Sequence, residues 1–132
     1  MIFVTGGTGL VGSHLLYDLL RSGKQVRALK RKHSNLKQVE KVFSYYTSSS
    51  RHLFNQIEWV DADLLDIYSI LKVLDGVEYI YHCAAMVSFE PKHQAEMMYS
   101  NVEGTTNLVN AALTKGIKKF CHVSSIATIG RE

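Results

Sequence analysis

Eight residues near the start of the chain carry the most chemistry for their length. Thr5-Gly6-Gly7-Thr8-Gly9-Leu10-Val11-Gly12 follows a short apolar run, Ile2-Phe3-Val4, and leads into Leu15, Leu16, Leu19 and Leu20 at helical spacing. Glycine suits a backbone that must turn tightly and approach a phosphate with no Cβ in the way. A helix start behind such a turn offers unpaired N–H groups and a partial positive charge. A glycine string alone is a weak signal. Between a strand and a helix it predicts a pyrophosphate cradle. The competing reading is a glycine turn with no ligand.

The second group is basic. Residues 24–41 hold seven cations (Lys24, Arg27, Lys30, Arg31, Lys32, Lys37 and Lys41) against the single acid Glu40, so this segment is +6 in a chain of net charge +3. Such a local cluster points to an anionic ligand more than to a general nucleic-acid surface. The alternative is a solvated loop and helix face.

These groups must be held by regular elements. Strands are predicted near 1–5, 25–30, 57–61, 77–82 and 118–124. Helices are predicted from Leu10 to the Ser22-Gly23 stop, near 35–45, around Ile67, Ile70, Leu71 and Leu74, and over 94–115. The last is read with Met98, Val102, Thr105, Val109 and Ala112 on one face, and the polar, Ser-rich residues 47–51 as loop. Strict alternation with apolar strands implies an α/β fold, a parallel sheet covered on both faces. Right-handed crossovers leave few topologies, and the Rossmann-type doubly wound order 3-2-1-4-5 is expected.

Composition sets bounds on all of this. The chain has 132 residues, 46% apolar and 20% charged, with one Pro, as in one soluble globular domain. No apolar run approaches the roughly 20 residues of a bilayer span, and no signal peptide is expected at Met1. Cys83 and Cys121 make neither a disulfide framework nor a zinc knuckle, so a reducing cytoplasm is the expected setting. Six histidines without an HExxH pattern give no reason to expect a metal, and His82 and His122, ending apolar strands, are read as packed. The chain stops eight residues past the predicted fifth strand. Doubly wound dinucleotide folds have about six strands or more, so residues 1–132 are expected to be the N-terminal portion of a longer protein, truncated before a sixth strand and a substrate domain.

On its motifs the chain resembles the extended short-chain dehydrogenase/reductases, the NAD(P)-dependent epimerase/dehydratase and dihydroflavonol-reductase-like group. The fingerprint Thr-Gly-x-x-Gly-x-x-Gly stands here as Thr5, Gly6, Gly9 and Gly12. Asp63-Leu64 matches the family pair that meets the adenine. His82-Cys83-Ala84-Ala85 matches the Ala-rich turn beside the cofactor. Asn101-Val102-Glu103-Gly104-Thr105 matches the helix motif, and residues 123–130 match the fifth-strand serine motif. The resemblance covers essentially the whole chain. Asn101, a poor helix former in mid-helix, is expected to hydrogen-bond near the fourth-strand loop; the alternative is an exposed polar residue.

The resemblance implies a nicotinamide cofactor, NADP or NAD. At the end of the second strand, where NAD-binding folds carry an acid for the ribose, the chain reads Leu29-Lys30-Arg31-Lys32. Arg31 matches the position where related reductases hold a 2′-phosphate, so NADP(H) is expected, with cofactor choice set elsewhere as the alternative. Family catalysis uses Ser, Tyr and Lys, the cation lowering the pKa of the phenol. Ser125 is the best match for the serine, with Ser124 its neighbour; the alternative is a serine pair that caps the next segment. A Tyr-x-x-x-Lys string occurs at Tyr68 to Lys72, but it precedes the serine, on the wrong helix, and is read as an exposed pair. The expectation is therefore the NADP(H)-binding part of an oxidoreductase or epimerase/dehydratase, inactive alone, acting on a hydroxyl or carbonyl of a small-molecule substrate. The alternative is a non-catalytic dinucleotide sensor. Neither nucleic acid nor membrane is expected as a partner, and an exposed fifth-strand edge would favour a homo-oligomer.

Overall fold

Val4 and its neighbours sit at the centre of the molecule because they are apolar on both sides of the chain. In the computed structural model, which describes residues 1–130, the elements run β1 (Ile2–Thr5), α1 (Leu10–Arg21), β2 (Val26–Lys30), α2 (Leu36–Ser44), α3 (Ser50–Phe54), β3 (Glu58–Asp61), α4 (Ile67–Val73), β4 (Tyr79–His82), α5 (Gln94–Thr114) and β5 (Lys119–His122). The five strands form one parallel sheet in the order β3-β2-β1-β4-β5, the predicted topology. Successive side chains of a strand face opposite ways. Ile2 and Val4 therefore join Leu16, Leu20, Val39 and Phe43 under α1 and α2. Phe3 joins Ile70, Leu74, Leu108 and Ala111 under α4 and α5.

Polar groups lock the layers together at the opposite end of the sheet from the glycine turn. The Arg27 guanidinium on β2 donates to Glu58 on β3 through Nε, at 3.0 Å, and through Nη1 to the carbonyls of Val73 and Asp75, each at 2.7 Å. A cation at the carbonyl of Val73, the last residue of α4, also complements the helix dipole. Lys115 and Lys118 pair with Asp75 and Glu78, and each lysine holds its partner carboxyl below the usual range.

Three expectations are corrected. Ser50 and Arg51 are not loop but the first turn of α3, because Phe54 packs against Phe43 and Trp59 and so overrides the Ser-rich composition. The buried face of α5 is Gly104, Leu108, Ala111 and Ala112, whereas Met98 and Val102 are each 57% exposed. The helix approaches the β3–α4 loop closely: a Cβ on Gly104 would lie 3.2 Å from Leu64 Cβ. Gly104 faces inward for that reason, and Ala112 of the expected face is buried with it. His122 is exposed, because β5 has only β4 beside it. Tyr68 is exposed, as read. Among the described residues no helix is long and apolar enough to cross a membrane.

Candidate functional site

The carboxyl ends of β1 to β4 and the first half of α5 enclose an open cleft of about 320 Å³. Open α/β sheets bind ligands at this end, where the chain direction of successive crossovers reverses. Gly6, Thr8 and Gly9 line it from the first turn, Arg31 from the end of β2, and Asp63 and Leu64 from the end of β3. Cys83, Ala84 and Ala85 line it past β4, and Asn101 from α5. Thr5, Gly7 and Gly12 lie buried, and Leu10 and Val11 stand exposed on the first turn of α1. Ser124 and Ser125 are exposed after β5 and are not part of the cleft wall.

The glycines of the loop do different work. Gly6 has φ of +69°, and a Cβ there would sit 2.5 Å from Ala84 N and 2.6 Å from Cys83 C. Its bare Cα lets the β1 and β4 turns touch. A Cβ on Gly12 would press on the backbone of Gly6 and Gly7, the latter at 2.9 Å, so this glycine seats α1 on the loop. At Gly9 a Cβ would meet only Gly6 O, at 3.3 Å. Gly9 thus borders open space at the start of α1, where no side chain caps the helix and no acid stands in its first turn. An anion fits there, by the open N–H groups and the dipole.

The basic segment resolves into paired and open charges. Lys30 pairs with Asp61 at 2.7 Å, and Arg27 is committed to Glu58. Arg31 has no acidic partner among the described residues, its backbone N–H donates to Ser34 Oγ at 2.9 Å, and both residues line the cleft. Ser34 escaped sequence reading. Its signal was available, three residues after Arg31 and just before a helix, where serine turns are common.

The remaining walls are pinned by side chains. Asp63 Oδ1 accepts the Leu65 N–H at 2.9 Å, and Asn107 Nδ2 donates to Leu64 O at 3.0 Å. Asn101 clamps the Met86 backbone, accepting its N–H at 2.7 Å and donating to its carbonyl at 2.9 Å. His82, at the end of β4, is buried; its Nδ1 lies 2.6 Å from Thr5 Oγ1 and its Nε2 2.9 Å from Thr105 Oγ1. Burial, with His122 adding to it, pushes the His82 pKa down to about 4. Burial likewise pushes the Cys83 thiol up, helped by Cys121. His82 was read only as packed. The parallel pairing of Thr5 with His82, two polar residues ending neighbouring apolar strands, was the overlooked signal.

Comparison with known proteins follows the same line. The chain matches the model of the NAD dependent epimerase/dehydratase family over residues 2–132. Sterol demethylase protein B of Methylococcus capsulatus is 34% identical over 96% of this chain, a match that takes in 35% of that protein. The crystal structure of gox2253 superposes with a TM-score of 0.81 at 32% identity, over 100% of this chain and 36% of its own. A short-chain dehydrogenase/reductase superfamily protein from Agrobacterium tumefaciens, with bound NAD, gives a TM-score of 0.71 at 29% identity, over 95% of this chain and 32% of its own. This chain spans about a third of the length of the curated relatives it matches. The family match includes every residue of the cleft wall, from Gly6 to Thr105, and on it the chain belongs to the NAD dependent epimerase/dehydratase family.

Proposed function

We propose that this chain is the NADP(H)-binding part of an oxidoreductase or epimerase/dehydratase that acts on a hydroxyl or carbonyl group of a small-molecule substrate. The cleft fits a dinucleotide in its chemistry. Gly9 and the uncapped start of α1 would take the pyrophosphate, Asp63 and Leu64 the adenine, and Ala84 and Ala85 the inner end of the cofactor. When bound, the nicotinamide supplies the hydride acceptor or donor.

The preference for NADP(H) rests on one observation: Arg31, free of acidic partners among the described residues, beside the Ser34 hydroxyl. A guanidinium grips a phosphate through charged hydrogen bonds, whereas the paired Lys30 is already engaged. Titration calorimetry with NADPH and NADH tests it. Arg31→Ala is expected to weaken NADPH by about 1.5–3 kcal/mol and to leave NADH nearly unchanged. Equal losses for both would move the discrimination elsewhere.

The 132-residue chain alone is expected to turn over no carbonyl or sugar-nucleotide substrate, with Ser125 (or Ser124) serving the reacting oxygen only in a longer protein. One observation favours a second reading, a non-catalytic dinucleotide sensor. Ser125 Oγ accepts the Ala127 N–H at 3.2 Å, as a capping serine does, and stands outside the cleft wall. In a turnover-competent full-length protein, Ser125→Ala should lower kcat far more than cofactor affinity; full activity in that variant would shift the role to Ser124 or favour the sensor. The two free cysteines support a cytoplasmic setting, and the open β5 edge supports self-association, measurable by sedimentation.

A further inference from the structure

We propose that His82 is a positioning residue of the dinucleotide site, whose neutral Nε2–H tautomer ties β1, the Ala84 turn and α5 into one wall. The proposal rests on reading the cleft as a dinucleotide site. The Thr5 hydroxyl has one proton to give. Its oxygen accepts the Ala84 N–H at 3.2 Å, and among its partners in the described residues only His82 Nδ1, at 2.6 Å, can accept its proton. Nδ1 is then the acceptor, and the ring proton sits on Nε2, 2.9 Å from Thr105 Oγ1. Donation runs one way, from Ala84 to Thr5 to His82 to Thr105.

Each member of that chain belongs to a different part of the cleft. Ala84 N is the atom against which Gly6 packs with no room for a Cβ. Thr105 lies one helical turn past Asn101, the clamp on Met86. The spacing between glycine loop, Ala84 turn and α5 is therefore set through one imidazole that itself lies beneath the ligand space. A charged ring would break the chain: Nδ1 would become a donor, and Thr5 would face two donors with no acceptor for its proton. The groups around the ring oppose that state. His122 on β5 stacks on it at 5.1 Å, with Phe120 from the same strand at 6.1 Å, while β1 and α5 present only hydroxyls. With burial, this holds the ring neutral, at a pKa near 4.

The test uses the full chain, NAD⁺ as the probe and three variants. His82→Leu should bind NAD⁺ about ten- to hundredfold more weakly at pH 7.5, the scale of one buried hydrogen-bonding group left unpaired. His82→Gln, which keeps one acceptor and one donor, should recover most of that loss. Thr105→Val removes only the last link and leaves the strand intact, so it guards against a misfolded His82→Leu; it should weaken binding about three- to tenfold. Nitrogen spectra of wild-type His82 at pH 6.5 should show a neutral ring with its proton on Nε2. A charged ring or a proton on Nδ1 overturns the proposal, as does unchanged NAD⁺ affinity in folded Leu and Val variants. A wild-type chain that binds neither NAD⁺ nor NADP⁺ overturns the reading of the site and the proposal with it.

Discussion

β1 and β5 are four-residue strands of the same sheet, each followed by a turn whose sequence suggests function, yet only one turn is held in place. β1 is buried along its whole length and pairs with β2 and β4. The turn behind it is fixed by Gly9 N–H donating to Gly6 O at 3.0 Å, by the bare Cα of Gly6 against Ala84, and by Thr5 against His82. Among the described residues β5 pairs with β4 alone and has only Phe120 partly covered. The serines behind it make bonds within their own turn, between Ser125 and residues 127–128. A motif after a strand packed on both faces inherits a geometry. The Ser125 motif is held here by bonds within its own turn.

Gly6 and Gly130 put this contrast to its hardest test, since both have positive φ, +69° and +85°. Gly6→Val adds left-handed strain and drives a Cβ into the backbone of Cys83 and Ala84, so it should destabilise the fold by about 4 kcal/mol or more. At Gly130 a Cβ meets nothing within 4 Å among the described residues, so Gly130→Val carries only the strain of φ +85° and ψ 178°, a region nearly confined to glycine, about 1–3 kcal/mol. Urea unfolding midpoints compare the two. Equal losses would mean that the two turns are equally constrained.

Acid should loosen the β1 side next. His82 titrates near 6.5 when free and near 4 in the fold. Between those values the unfolded chain holds the extra proton, so stability falls as pH drops from 6.5 to 4 and levels off below, by about 3 kcal/mol in all. The carboxyls of Asp75 and Glu78, held low by their lysines, lose their contribution at still lower pH. The difference between wild type and His82→Leu, followed by urea unfolding from pH 7 to pH 4, isolates the histidine. Parallel curves for the two proteins would deny it this part.

Gly9→Val separates the fold of the loop from its use. Gly9 has φ of −84° and ψ of 177°, extended backbone that valine adopts, and its Cβ would meet only Gly6 O. The stability loss should stay near 1 kcal/mol, while dinucleotide affinity falls by about a hundredfold or more because the methyls fill phosphate space. Calorimetry that finds both cofactors bound as before would remove the loop from the phosphate site.

Much of the β1 side was legible because its signals are local and redundant. Apolar strands, the glycine spacing and the Ser22-Gly23 stop each point to the same alternating topology. What escaped reading depends on contacts far apart in sequence. The His82 link needs the pairing of strands 77 residues apart, and α3 exists because Phe54 finds Phe43 and Trp59. The α5 face was read with Met98 and Val102 in it, whereas close approach to Leu64 selects Gly104. At β5 the motif was equally legible, but its sequence does not say what it packs against.

The smallest expected effect lies there. Ser125→Ala removes the acceptor for Ala127 N–H on an exposed turn, and surface changes of this kind move stability by about 0.5 kcal/mol or less. Affinity for NAD(H) and NADP(H) should not change, because the hydroxyl stands outside the cleft wall. Differential scanning calorimetry and cofactor titration on the same preparation measure both. An affinity loss of tenfold would put the serine against the dinucleotide and erase the contrast between the two turns. An unchanged affinity, paired with a fall in kcat in a turnover-competent full-length protein, would locate its work on the substrate and sharpen that contrast into a division of labour: β1 and β4 hold the cofactor, and the end of β5 addresses what the cofactor reacts with.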